Sequence, residues 1–177
     1  INENSLTEKL YFFGKDNFEI QEYGGFSDSF GRETQFFGAN SSLNCQIQYL
    51  LPKRHTFGKM TMEVQDMEGN KITTLNPGKS KGINTVEWSY NMRTPKIATA
   101  KTLSFGGFTS PTVPAGKYKV VINKGKDSFE KIINVGYKNN AGLNDQDRKF
   151  QFKTVMNLFN MTEELAYMVY TINEVLS

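Results

Sequence analysis

A single cysteine and a single histidine stand in a chain of 177 residues, and each scarcity removes a class of chemistry. One thiol, Cys45, cannot close an intrachain disulfide or build a cysteine-rich zinc site. One imidazole, His55, cannot make a multi-histidine metal centre or a zincin helix. No run of about 18 apolar residues occurs, so no membrane insertion is expected, and no signal peptide is legible from Ile1. The net charge of +3 is spread over both signs, without an arginine cluster or a sustained basic stripe, and this argues against a nucleic-acid partner. A lone cysteine fits the cytosol as well as secreted bacterial proteins that dispense with disulfides, so it leaves the compartment open. The start on Ile1-Asn2-Glu3, without methionine, reads as a processed product or an excised piece of a longer protein.

What the chain has in quantity is aromatic material. Its hydrophobic fraction is only 38%, yet it includes 14 Phe and 8 Tyr. Each ring buries roughly 150–250 Å², which supports a core for a sandwich of about 100 residues. The clearest strand signals are Gly82-Ile83-Asn84 leading into Val86, Trp88 and Tyr90, and Pro114-Ala115-Gly116 leading into Tyr118, Val120 and Ile122. Both are turn signals that feed apolar residues at period two. The same alternation runs through Cys45, Ile47, Tyr49 and Leu51, closed by Pro52, and through Met60, Met62 and Val64. Asp66-Met67-Glu68-Gly69-Asn70 reads as a hairpin loop with glycine at positive φ, returning through Ile72 and Thr74. Lys124-Gly125-Lys126-Asp127 turns into a last strand, Phe129 to Val135, whereas Thr94 to Thr112 is a long polar connection. Six short strands with little helix between them predict a mainly β chain, an immunoglobulin-like antiparallel β-sandwich.

Two segments flank that sandwich. Residues 1–38 form an irregular N-terminal segment or linker, in which rings set among glycines and polar groups anchor it to the sandwich over residues 39–138. Residues 139–177 carry a long amphipathic C-terminal helix of about thirty residues. Asn144 or Asp145 caps it, and Asp147 lies near its positive end. Val155, Leu158, Phe159, Leu165, Ala166, Val169, Ile172, Val175 and Leu176 follow helical spacing. A helix that long needs a partner surface, either along one sheet or on a further element.

Four blocks in order resemble a known family. These are Ser5-Leu6-Thr7 with Leu10 to Phe13; Phe37-Gly38-Ala39-Asn40 followed by Cys45 to Pro52; Met62 to Thr74 with Gly82-Ile83-Asn84 and Trp88; and Pro114-Ala115-Gly116-Lys117-Tyr118. With the closing helix, they are similar to the C-terminal region that follows the β-propeller in large bacterial proteins with sortilin-type or BNR-type repeats, often labelled glycosyl hydrolases. The sandwich part also resembles the immunoglobulin-like module of flagellar hook-capping proteins. The resemblance implies a secreted, periplasmic or cell-surface setting and a partner in an upstream β-propeller or another envelope protein. The propeller, which would hold any catalytic site, is not among these 177 residues, so the hydrolase label does not transfer.

Candidate chemistry is sparse. Cys45 and His55 could pair as nucleophile and base. Cys45, however, occupies an apolar strand position and reads as a small buried hydrophobe, and His55 reads as an exposed loop residue. Glycoside hydrolysis needs two carboxyls roughly 5–10 Å apart. Nothing brings together any pair among Glu19, Glu22, Asp28, Glu33, Glu63, Asp66, Glu68 and Glu87. Asn139, Asn140, Asn144, Asp145 and Asp147 offer oxygens for calcium, but their spacing misses the EF-hand loop and suits helix capping. Lys117, Lys119, Lys124, Lys126 and Lys131 could attract an anionic glycan, while the simpler reading is that they guard an exposed strand from edge pairing. Met156, Met161 and Met168 read as core filler.

The best ligand candidates are the glycine-flanked rings Tyr23, Phe26, Phe105 and Phe108, which could stack on a glycan or dock a partner surface. No catalytic residue, metal site or cofactor is expected. The chain is therefore expected to be a non-catalytic structural or interaction module. A carbohydrate-binding module is the alternative, and a glycoside hydrolase fragment is the weakest reading.

Overall fold

A computed structural model describes residues 9–20, 44–98, 110–138 and 143–176. Among them, eight strands and one helix follow in order: β1 Tyr11–Phe13, β2 Asn17–Ile20, β3 Cys45–Leu51, β4 Met60–Gln65, β5 Lys71–Leu75, β6 Gly82–Trp88, β7 Gly116–Lys124, β8 Asp127–Tyr137 and α1 Asp145–Leu176. The period-two segments become strands because one face of each is apolar. In β4, Met60, Met62 and Val64 are buried between half-buried Thr61, Glu63 and Gln65; in β7, Tyr118, Val120 and Ile122 point the same way.

The strands form two sheets, β1-β3-β6 and β2-β8-β7-β4-β5. Cys45 faces Trp88 and Leu51 faces Gly82 across β3 and β6. Inward residues of both sheets join one core, with Ile47, Tyr49, Leu51 and Trp88 from the first and Met62, Val64, Val120, Ile122 and Ile133 from the second. The chain is thus mainly β, a β-sandwich-like pair of sheets with one C-terminal helix. Among the described residues, no helix is long and apolar enough to cross a membrane.

Aromatic rings fill the centre and their polar tips are all engaged. The Trp88 ring lies 5.6 Å from Tyr90 and 5.6 Å from Tyr118. Trp88 Nε1 donates to the Asn91 carbonyl at 2.9 Å, Tyr118 O–H to the Pro114 carbonyl at 2.6 Å, and Tyr49 O–H to the Gly78 carbonyl at 2.6 Å. Large rings enter a core when such tips find partners. Tyr90 does not extend β6, which ends at Trp88. Its backbone turns through φ 59°, and residues 90–92 pair with 111–113 through Val113 N to Tyr90 O and Met92 N to Pro111 O.

The N-terminal segment differs from the irregular stretch expected over residues 1–38, because its described part contributes β1 and β2. β1 pairs antiparallel with β3, then the chain crosses to the other sheet and β2 pairs parallel with β8. Gly14 makes the crossing at φ 86°, where a Cβ would meet Gln48 Oε1 at 2.8 Å. Lys131 holds it from β8. This Nζ donates to the Phe13 carbonyl at 2.9 Å and pairs with Asp16 at 2.9 Å.

The lysines of β7 therefore guard no edge, whereas Lys131 lies on the part of β8 that β2, paired only with Asn134–Tyr137, leaves uncovered. β7 is paired on both sides by β4 and β8, Lys119 pairs with Glu130 at 3.3 Å, and Lys124 donates to the Lys9 carbonyl at 3.2 Å. The β4–β5 hairpin is as expected, with Gly69 at φ 91° and Asp66 Oδ1 accepting from the Glu68 and Asn70 amides at 3.0 and 2.8 Å.

One buried polar side chain shapes the entry to β6. Asn84 Nδ2 donates to the Ser80 and Gly82 carbonyls at 2.8 and 3.1 Å, and its Oδ1 accepts from Ser80 N at 3.2 Å. Removing one partner from a buried set costs about 1–3 kcal/mol. Asn84→Ala is expected to lower unfolding free energy by that amount in urea titrations followed by Trp88 fluorescence. An unchanged midpoint would show that the turn holds without it.

Candidate functional site

Helix α1 begins where Asn144 caps it, its Oδ1 accepting from the Gln146 and Asp147 amides at 2.9 Å each. Asp145 and Asp147 complement the positive end, so these three of the residues considered for calcium serve the helix start, while Asn139 and Asn140 lie outside the described residues. The helix then lies along the two-sheet body on one stripe. The Arg148 guanidinium lies 3.8 Å over the Tyr137 ring, Phe152 borders a cleft of about 450 Å³ with Pro114, Ala115 and Tyr137, and Phe159 is buried beneath Arg93 at 4.8 Å. One turn on, Glu163 receives both arms of Arg93, the Nη2–Oε2 distance being 2.7 Å, and also accepts from the Lys96 amide at 2.9 Å. Ala166 and Val169 continue the stripe beside Lys96, Ile97 and Ala98, around a second cleft of about 410 Å³.

The opposite stripe faces solvent. Leu158, Met161, Leu165, Met168, Ile172 and Val175 are each between 56% and 80% exposed. They recur at intervals of three and four, the heptad spacing of a coiled-coil seam. At 3.6 residues per turn, this seam points roughly 150° away from the stripe that meets the body. Met161 and Met168 are therefore not core filler, and Met156 alone of the three expected there is half-buried.

The other candidates do not converge. Cys45 is fully buried, and burial pushes its thiol up to about 12 against a smaller lowering by Lys131, the reverse of what activates a nucleophile. His55 is half-buried, with Nε2 3.2 Å from the Gly58 carbonyl. Glu63 lies 3.9 Å from Lys71, Asp66 serves its own loop, and Glu87 accepts from Asn44 at 3.0 Å. Among the described residues, no group of three or more His, Cys, Asp or Glu side chains is placed to hold a metal. Tyr23, Phe26, Phe105 and Phe108 lie outside the described residues, as do Glu22, Asp28 and Glu33.

Two features escaped sequence reasoning. The Arg93–Glu163 pair joins positions 70 apart and leaves no local signal. The seam does leave one, the three-four alternation, but it is merged in the sequence with the apolar residues of the body-facing stripe. The chain matches no protein-family model, no curated protein and no solved structure.

The hydrogen bonds from Arg93 and then from the Lys96 amide hold the Glu163 carboxyl down to about 2, below its ordinary 4.5. A lowered folded-state value contributes stability that is whole above the ordinary value and fades as pH falls through the lowered one. The protection of the α1 amides, taken relative to the intrinsic exchange rate at each pH, is therefore expected to fall between pH 4.5 and about 2. Glu163→Gln is expected to remove that dependence and to cost about 1 kcal/mol at neutral pH. An acid profile identical in both proteins would separate helix docking from this carboxylate.

Proposed function

We propose that this chain is a non-catalytic structural or interaction module, an immunoglobulin-like sandwich that carries α1 as its contact element. The observation that carries the reading is the division of α1 into two stripes. One is bound to the body by Arg93, Phe159 and Glu163, and the other is an apolar seam left in water. Exposed apolar surface of this extent on a polar helix marks an interaction site.

The immunoglobulin-like assignment is supported by strand order. The first strand is split between sheets, antiparallel to β3 and parallel to β8. The Tyr118 hydroxyl, near the start of β7, also reaches back four residues to the carbonyl of Pro114 in the preceding loop, as the tyrosine corner does in that fold. The setting that fits such a module is the C-terminal end of a larger, propeller-bearing secreted or envelope protein. That setting rests on the order of sequence blocks from Ser5 to Tyr118. The four rings named for the carbohydrate-binding alternative lie outside the described residues, and the exposed rings among the described ones, Phe57, Phe150, Tyr167 and Tyr170, are what that alternative would use.

An apolar fluorescent dye titrated against the dilute chain tests the reading, beside a glycan array and chromogenic glycosides. The expected result is dye enhancement that falls several-fold in the double substitution Leu165→Glu, Met168→Glu, with no glycan retained or hydrolysed. Dye binding indifferent to that pair would overturn the seam as the contact surface. Glycan retention would favour the carbohydrate-binding reading, and turnover would refute a non-catalytic role.

A further inference from the structure

We propose that the outward seam of α1 pairs with the same seam on a second copy of this chain, joining two modules through a helix-to-helix, coiled-coil-like contact. This deepens the interaction-module reading and rests on it, since it names the occupant of that surface. The first ground is geometric. Six apolar residues from Leu158 to Val175, spaced three and four apart, form a seam about 27 Å long at 1.5 Å per residue. A 3.5-residue apolar period is satisfied by another helix carrying the same period, because each side chain then enters a hole made by four residues of its neighbour. A sheet or an irregular segment offers no matching repeat. Among the described residues the two-sheet body does not cover the seam, since Phe159 and Glu163 hold the helix against it by the other side.

The second ground is that the flanks permit self-pairing. The positions beside the seam are Asn157, Thr162, Glu164, Val169, Thr171 and Leu176, with one carboxylate and no cation. Charges at these positions normally select a partner and reject others. Nothing here rejects an identical helix except a single Glu164 on each copy. The two threonines are also already satisfied. Thr162 Oγ1 donates to the Leu158 carbonyl at 2.8 Å and Thr171 Oγ1 to the Tyr167 carbonyl at 3.0 Å. They can leave water without losing a hydrogen bond, which removes the main cost of burying a hydroxyl.

Area is the third ground. An exposed side chain of this size offers on the order of 100 Å² of apolar surface. The six seam residues with Leu176, taken from two helices, then bury about 1,400 Å² in total, within the roughly 1,200–2,000 Å² of a specific stable interface. Interfaces of about that size range from micromolar to picomolar affinity, so micromolar chain is enough to populate the pair.

Sedimentation of the full chain over the micromolar range tests this. The expected outcome is a mass rising from the 20.1 kDa monomer to twice that value. The double substitution Leu165→Glu, Met168→Glu is expected to abolish the rise, and Asn160→Glu, on the same helix but off the seam, is expected to keep it. Because a doubly charged helix could lose its fold, a milder variant supplies an independent readout. Leu165→Cys adds one accessible thiol while Cys45 stays buried. A short bis-maleimide spans either helix orientation and is expected to convert most of the chain to a covalent dimer.

A wild-type chain that stays monomeric across the range overturns the proposal, as does a dimer that ignores the double substitution and leaves Leu165→Cys uncrosslinked. The dye titration keeps the two readings apart. A monomer whose seam still binds dye sinks self-pairing alone, and a monomer whose dye response is indifferent to the seam sinks both.

Discussion

The bidentate pair between Arg93 and Glu163 decides what this molecule presents to its surroundings. α1 meets the two-sheet body through few residues, and only Phe159 on it is buried. Apolar packing alone would leave the rotation of such a helix about its axis weakly determined. Arg93 resolves it by gripping Glu163 with both guanidinium arms while its face lies over Phe159 one turn earlier. A planar donor that is hydrogen-bonded at its edge and covered on its face has one orientation. That orientation carries Ala166 and Val169 inward, and the seam from Leu158 to Val175 outward with them.

The body can serve as a mount because its polar groups are settled internally. Trp88, Tyr49 and Tyr118 place their rings in the core and their donors on nearby carbonyls. Lys131 does the same for a cation, reaching the carbonyl of Phe13 and the carboxylate of Asp16 where the chain passes from one sheet to the other. Groups of this kind cost free energy when left unpaired in an interior. Among the described residues, no buried side-chain nitrogen or oxygen lacks a partner. Such a body offers settled anchors, with Tyr137 under Arg148 joining the Arg93–Glu163 pair in orienting a helix of 32 residues.

Much of the fold was legible because period-two alternation is a local signal. Cys45 to Leu51, Met60 to Val64 and Tyr118 to Ile122 each declare an inner face, and Asn144 declares a cap. β1 and β2 were not legible. Strands of three and four residues are too short to show a period, and both form by pairing with distant β3 and β8. The lysines of β7 misled for a related reason, since a strand's charges do not reveal whether its neighbours cover both edges. The methionines misled because thioethers are common in cores, and only the rotation set by Arg93 shows that Met161 and Met168 face water. The rings chosen from sequence, Tyr23, Phe26, Phe105 and Phe108, fall outside the described residues, so the candidate surface owes nothing to them.

The central claim is that α1 is held with its heptad seam away from the body. Peroxide oxidation of the dilute chain, read residue by residue by mass spectrometry, tests it most directly, because the chain carries methionines on both sides of that division. Met60 and Met62 are buried in β4 while Met161 and Met168 are exposed on the seam. The account requires the two seam methionines to oxidise at close to the rate of free methionine, and the two core methionines to oxidise only on unfolding. Protection of Met161 and Met168 in the monomer, equal to that of Met62, would mean that the seam lies against the chain itself, and it would contradict the account.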